Sequence, residues 1–156
     1  MMKIVICSDN HGLIEPLKEV KRAHPDADAY IHCGDNELSY ELMAGFDAVT
    51  GNNDYFYSYP DHLVVKVGTL SIYVTHGHQF YGRTRVSDLS KKALNHHCQV
   101  ACYGHTHVYD VTWENDVLCI NPGSLRYNRD GTPPSYAVLE VENGKFEVTR
   151  HLTGIA

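Results

Sequence analysis

Apolar residues along the chain follow two spacings, and each change of spacing marks the edge of an element. Residues 3–7 (Lys3-Ile4-Val5-Ile6-Cys7) form a short β-branched run that reads as a buried strand. Leu13, Leu17, Val20 and Ala23 then recur at helical spacing with Glu15, Lys18, Glu19, Lys21 and Arg22 between them, which predicts an amphipathic helix over that strand. Residues 29–33 read as a second strand, 39–43 as a short helix and 47–50 as a short third strand. A hairpin over 62–67 and 70–75 turns at Gly68-Thr69. Val86, Leu89, Ala93 and Leu94 mark a second substantial helix, and residues 100–103 a further strand. Strands 108–114 and 117–120 turn at Asn115-Asp116, strands 136–141 and 146–151 turn at Asn143-Gly144, and only 128–134 is loosely composed. Parallel-type βαβ units come first and antiparallel hairpins later. The expected class is therefore α/β, with two packed mixed β-sheets forming a β-sandwich flanked by α-helices. No repeat or linker interrupts the pattern, so one domain is expected over residues 1–156.

The polar blocks at the strand ends carry the chemistry. The first strand runs into Asp9-Asn10-His11-Gly12, the second into Gly34-Asp35-Asn36, the third into Gly51-Asn52-Asn53-Asp54, and later strands into His76-Gly77-His78 and Gly104-His105-Thr106-His107. Each block is ordinary by itself: an Asp can cap a helix, and Gly-Asn-Asn-Asp can be only a turn. Five such blocks at the carboxyl ends of strands, where open α/β sheets collect their ligands, form a specific pattern of oxygen and imidazole donors. The histidines outside it, His24, His32, His62, His96, His97 and His151, read as core or surface residues.

Charge and cysteine content narrow the setting. Asp and Glu number 19 against 13 Lys and Arg, a formal net charge of −6, and no basic cluster stands out. An extended nucleic-acid surface or an anionic membrane is thus not expected as a partner, while the charge leaves room for a small anionic substrate if a cation receives it. The five cysteines, Cys7, Cys33, Cys98, Cys102 and Cys119, are odd in number and several sit in apolar runs, so they read as reduced thiols of a cytoplasmic protein. No signal stretch or membrane-spanning run is read.

Asp-x-His, Gly-Asp, Gly-Asn-x-Asp, His-Gly-His and Gly-His-x-His occur in that order, and Asn121-Pro122-Gly123-Ser124 comes after them. In this the chain resembles the calcineurin-like metallophosphoesterase superfamily over essentially its whole length, and most of all its small single-domain YfcE-like phosphodiesterase branch. The resemblance implies the calcineurin-like sandwich fold and two divalent metal ions, with Mn²⁺ favoured and Ni²⁺, Fe or Zn²⁺ as alternatives. It implies that Asp9, His11 and His107 hold one metal, that Asn52, His76 and His105 hold the other, and that Asp35 bridges them. The implied reaction is hydrolysis of small phosphodiesters or nucleotide-like substrates, by in-line attack of a metal-bridging hydroxide. Asp54 would orient its neighbours, and His78 could contact substrate or the leaving group. Where many members carry a His after the ligand Asn this chain has Asn53, which cannot donate a proton as a general acid, so good leaving groups are expected to be preferred.

Other features stay open at this level. Tyr55, Phe56, Tyr57 and Tyr59 could wall the pocket or form a packing patch or homo-oligomer contact. Arg83, Arg85, Arg126 and Arg129 could orient a phosphate oxygen or be solvated surface charge. Asn121-Pro122-Gly123-Ser124 reads first as a structural turn. A non-catalytic scaffold, as in the retromer-subunit branch of the same fold, or a nucleotide sensor is the rival; the scaffold would require an eroded metal site, and here no proposed ligand is missing.

Overall fold

The structure is a computed structural model and describes residues 1–153. The expected domain limit, residues 154–156, lies outside the described residues. Among the described residues, ten strands and two helices succeed one another as β1 (Met2–Cys7), α1 (Glu15–Ala23), β2 (Ala29–His32), β3 (Asp47–Ala48), β4 (His62–Val67), β5 (Leu70–Thr75), α2 (Arg85–Asn95), β6 (Val100–Cys102), β7 (Asp110–Glu114), β8 (Val117–Asn121), β9 (Ser135–Glu142) and β10 (Lys145–Leu152). Two five-stranded sheets result, ordered β10-β9-β1-β2-β3 and β4-β5-β6-β8-β7.

Strand alternation explains why the sheets stack. Ile4 and Ile6 of β1, Ile72 and Val74 of β5, Val100 and Cys102 of β6, and Leu118 and Ile120 of β8 point into one shared core between the sheets. Their sequence neighbours point the other way: Val5 and Cys7 meet Leu17 and Val20 of α1, whereas Tyr73, Ala101 and Cys119 meet Leu89 and Ala93 of α2. Each sheet therefore buries one face against its partner and one against a single helix. Pro16 lies at the start of α1, where a missing backbone N–H is harmless, and Lys21 and Arg22 lie in its last turn, facing the negative end of the helix dipole.

Within each sheet, three strands run parallel. β1 pairs with β2 and β2 with β3, while β5 pairs with β6 and β6 with β8. Parallel strands deliver their carboxyl ends to one edge, and here the edges of both sheets coincide. The peptide N–H of His105, after β6, donates to Asp9 Oδ2 after β1 at 3.2 Å, and His76 Nδ1, after β5, lies 2.7 Å from Cys33 O after β2.

Three expected elements differ. The segment 39–43 is a turn, not a helix: Met43 N reaches Ser39 O at 3.1 Å, but Gly45 stands at φ +88 and one turn cannot offset the cost of nucleating a helix. The third strand is limited to Asp47–Ala48 because Thr50 N turns away to Pro60 O at 2.8 Å. β7 begins at Asp110 and not at Val108, whose N–H is taken by Thr106 Oγ1 at 3.3 Å.

Candidate metal centre

The strand ends converge. The seven residues singled out as ligands, Asp9, His11, Asp35, Asn52, His76, His105 and His107, come together where the two parallel edges meet. The ligand atoms of Asp9, His11 and His107 lie within 4.8 Å of one another, as do those of Asp9, Asp35 and His76. Asn52 Oδ1 is 3.0 Å from His76 Nε2 and 3.3 Å from His105 Nδ1. Asp9 is the group common to both triads, whereas the resemblance gives the linking role to Asp35, which stands 3.3 Å from His76 Nε2.

The backbone reaches this arrangement through conformations that side chains ordinarily avoid. Ten described non-glycine residues have positive φ, and five of them are Asp9, His11, Asp35, His105 and His107. Such geometry costs roughly 1–3 kcal/mol per residue and persists only where surrounding structure holds it. Glycines make room. A Cβ on Gly34 would stand 2.6 Å from His76 Nδ1, one on Gly51 2.1 Å from Asp35 Oδ1, and one on Gly104 2.6 Å from Asp9 Oδ2. The Gly that precedes each of these strand-end motifs is thus required by close approach.

Hydrogen bonds engage the Nδ1 side of three of the four imidazoles and turn Nε2 toward the cluster. His76 Nδ1–H donates to Cys33 O at 2.7 Å and His107 Nδ1–H to Tyr127 O at 3.2 Å, while His11 Nδ1 faces Glu37 Oε2 at 2.9 Å. With Nδ1 carrying the proton, each Nε2 presents a lone pair inward, the arrangement of a metal-ligating histidine. His11 Nε2 and His107 Nε2 face each other at 3.1 Å, and in this tautomer both are acceptors. Asp9 Oδ1 is buried with no hydrogen-bond partner among the described residues, 3.3 Å from His107 Nε2 and 3.8 Å from both His11 Nε2 and His76 Nε2. Unpaired buried acceptors that converge in this way need a cation, and the donor set of carboxylate, amide oxygen and imidazole suits a borderline divalent ion.

Local electrostatics hold the two carboxylates ionised, and their charge in turn pushes the His76 imidazole up against its burial. Burial pushes the Asp9 carboxyl up, but the adjacent His107 and His76 imidazoles and the Ser8 hydroxyl outweigh it and hold it below the usual range. Asp35 is likewise held low against its burial by His76 and by the two bonds from Asn53. Burial, with the neighbouring charges of His76 and Arg85, pushes His105 down to about 4, so its imidazole is neutral.

A cavity of about 370 Å³ opens over the cluster, lined by His11, Asp35, Asn52, His105 and His107 together with Asn53, Arg126, Tyr127 and Arg129. Asp54 lies beneath it. Its carboxylate accepts the N–H groups of Asp35 at 2.9 Å, Gly51 at 2.8 Å and Glu37 at 2.8 Å, tying the second and third strand ends together. His78 sits behind His76 and His105, with ring centroids 5.4 and 6.2 Å away, and is not among the cavity-lining residues. Arg83 and Arg85 also stand outside it, Arg85 being held by Phe80 O at 2.8 Å. Tyr55 and Phe56 project into solvent and Tyr57 and Tyr59 pack around Tyr40, so the aromatic stretch does not line this cavity.

Several residues support the site from outside the five polar blocks, and of these Glu37 is not singled out by the sequence while Asn121 and Ser124 belong to the Asn-Pro-Gly-Ser turn. Glu37 supports His11, Ser124 Oγ–H donates to Asp9 O at 2.7 Å, and Asn121 Nδ2 donates to Gly104 O and Thr106 Oγ1 at 3.2 and 2.9 Å. The Asn-Pro-Gly-Ser turn is structural, as expected, and what it supports is the ligand loops. Glu37 has no fixed spacing to a motif, and its partner lies 26 residues away.

Residues 2–144 match the calcineurin-like phosphoesterase superfamily domain. The chain is 35% identical over 145 residues to the probable metallophosphoesterase YsnB of Bacillus subtilis, covering 91% of this chain and 86% of that one. It is 28% identical to the phosphodiesterase MJ0936 of Methanocaldococcus jannaschii, over 93% of this chain and 96% of the relative. A crystal structure of a predicted phosphoesterase from Streptococcus pneumoniae superposes with a TM-score of 0.88 at 33% identity, covering 96% and 88% of the two chains. With its sandwich, its paired parallel edges and its carboxylate and imidazole cluster, this chain belongs to the calcineurin-like phosphoesterase superfamily and is a phosphoric ester hydrolase of that superfamily.

Proposed function

We propose that the protein is a phosphodiesterase that works with two divalent cations, Mn²⁺ before Ni²⁺, Fe or Zn²⁺, on small phosphodiesters or nucleotide-like substrates. The observation that carries this reading is the convergence of seven donors on a cluster where Asp9 Oδ1 has no partner and two imidazole nitrogens face each other at 3.1 Å. Asp9, His11 and His107 would hold one ion, Asn52, His76 and His105 the other, with the carboxylates of Asp9 and Asp35 at the join. When bound, the pair supplies Lewis acidity toward phosphoryl oxygens and makes hydroxide available near neutral pH.

The protein's own groups do the positioning. Asn53 donates its backbone N–H to Asp35 Oδ1 at 2.8 Å and its side-chain amide to Asp35 Oδ2 at 3.1 Å, which sets the direction of that carboxylate. Asp54 fixes the backbone on which both stand. Asn53 cannot protonate a leaving group and His78 is set back from the cavity, so the leaving group departs as its own anion. A cluster with every donor in place favours catalysis over a scaffold role. The same reading includes a single domain acting in a reducing cytoplasm; the five cysteines are free and buried, and among the described residues no helix is long and apolar enough to cross a membrane.

Elemental analysis of protein loaded with Mn²⁺, together with hydrolysis of a chromogenic aryl phosphodiester, tests the proposal. Close to two ions per chain and chelator-sensitive turnover are expected; a stoichiometry near zero would overturn the assignment.

A further inference from the structure

The residues after β8 carry a feature that the metal cluster does not use. In the run Ser124-Leu125-Arg126-Tyr127-Asn128-Arg129, Leu125 and Asn128 are buried, whereas Arg126, Tyr127 and Arg129 are exposed. Their backbone is tied directly to the ligand loops: Leu125 N donates to Ser8 O at 3.0 Å, and Arg129 N to His107 O at 3.0 Å. Ser124 Oγ accepts from Arg126 N and Tyr127 N at 3.0 and 3.1 Å, and Asn128 Nδ2 donates to Pro133 O at 2.7 Å. A segment anchored at this many points presents its outward side chains from a fixed base.

All three of those side chains line the cavity over the cluster. Among the described residues neither guanidinium has an ion-pair partner. The acid next in sequence, Asp130, is engaged by Thr132 N and Oγ1 at 3.1 and 2.6 Å. The Tyr127 ring packs edge-on against the His107 imidazole, with centroids 4.9 Å apart, and remains 50% exposed, which leaves a π-face open. In a chain of net charge −6, two unpaired guanidinia beside the site form a local attraction for anions. A phosphodiester carries one negative charge, on the group that the cluster itself receives. Two further cations with an aromatic ring between them suit a second anionic group attached to a base-bearing body.

We propose, resting on the phosphodiesterase reading, that Arg126, Tyr127 and Arg129 form a recognition subsite for a second phosphate of a nucleotide-type substrate, outside the linkage that is cleaved. The probes are the p-nitrophenyl ester of thymidine 5′-phosphate with a free 3′-hydroxyl and the same ester with a 3′-phosphate. The added phosphate is expected to lower KM by about tenfold, the gain typical of one good charge-assisted contact. In the double variant Arg126→Ala, Arg129→Ala the ratio of the two KM values should fall to near one, and the corresponding Lys pair should keep part of the preference. A wild-type ratio near one overturns the proposal. So does a double variant that lowers kcat/KM equally on both probes, because the guanidinia would then serve the scissile group. If neither ester is hydrolysed, the phosphodiesterase reading fails, and the subsite is decided by calorimetry with adenosine 3′,5′-bisphosphate and adenosine 5′-phosphate. About tenfold tighter binding of the bisphosphate, lost in the double variant, supports it; equal affinities overturn it.

Discussion

The strand-end loops and the outer hairpins of this sandwich both use left-handed backbone, and they use it in opposite ways. At the hairpins the residues are Asn115, Asp116 and Asn143, types that tolerate positive φ, standing at surface turns. At the site they are Asp9, His11, Asp35, His105 and His107, three of them buried. Turn chemistry explains the first set locally. The second is held by contacts from elsewhere in the chain, such as the N–H of Asp9 donating to Gly34 O and that of Asp35 donating to the Asp54 carboxylate. Backbone strain that local sequence cannot justify thus marks the place where the fold is spent on chemistry rather than on connection.

The largest expected effect breaks the site side of this contrast at its charge. Asp35→Asn removes a carboxylate that faces His76, so turnover should fall below detection. Asp54→Asn disturbs only the three backbone bonds beneath it and should cost about 10–100-fold. Steady-state kinetics on one aryl phosphodiester compares the two, and equal losses would remove Asp35 from the metal cluster.

Next comes the leaving group. With Asn53 in place of a general acid, aryl phosphodiesters should outrun alkyl ones by about 10²–10⁴-fold, and Asn53→His should narrow that gap. The structure adds a penalty, because the substitution also removes the amide bond to Asp35 Oδ2. The aryl rate should therefore drop while the slope of log(kcat/KM) against leaving-group pKa flattens. A wild-type slope that is already flat, with chemistry rate-limiting, would mean that another group supplies the proton.

A matched pair of glycines sharpens the comparison directly. Gly34 and Gly144 both have positive φ, at +105 and +74, but a Cβ at Gly34 meets the His76 ring at 2.6 Å and one at Gly144 meets nothing within 4 Å. Gly144→Ala should cost about 1–2 kcal/mol, the left-handed penalty alone. Gly34→Ala adds overpacking, for a total of about 2–5 kcal/mol. Denaturant unfolding of both variants tests this, and equal losses would remove the distinction between the two kinds of loop.

The smallest effect lies under the site. His32 is fully buried, its Nε2–H donates to Asn10 Oδ1 at 2.7 Å, and its Nδ1 accepts the Gly34 N–H at 3.1 Å. Burial pushes its pKa from 6.5 down to about 4. Between those values the unfolded chain binds the proton that the folded chain refuses, so stability is full above pH 6.5 and declines as pH falls toward 4, by up to ~3 kcal/mol. Unfolding free energies across this window should fall less steeply in His32→Gln than in wild type. Parallel curves would show that His32 does not carry the slope.

Much of this architecture is legible in the chain, because periodicity reports burial. The alternation of Ile4, Val5, Ile6 and Cys7 determines which side chains enter the shared core and which meet α1, and the spacing of Leu17 and Val20 determines the face of that helix. The donor-bearing blocks are legible for a related reason, since a strand that ends in a polar block has only one edge at which to leave it, whereas their division into ligands is what the family resemblance implies. Contacts between distant loops are another matter. Local pattern read 39–43 as a helix, but Gly45 and the turn toward Asp47 end it after one hydrogen-bonded turn. Nothing around Glu37, Asn121 or Ser124 announces that each holds a ligand loop, because their partners lie far along the chain or in a neighbouring loop. Asn53 read by itself is a missing acid; in three dimensions it is the donor that aims Asp35. By itself, then, the sequence determined the two sheets, the edge on which the polar blocks gather and the donor types that those blocks bring there. Only the tertiary structure decided which lone pairs face one another, that Asp9 stands at the join, and that Arg126, Tyr127 and Arg129 share the cavity, because those depend on how two separately wound sheets meet.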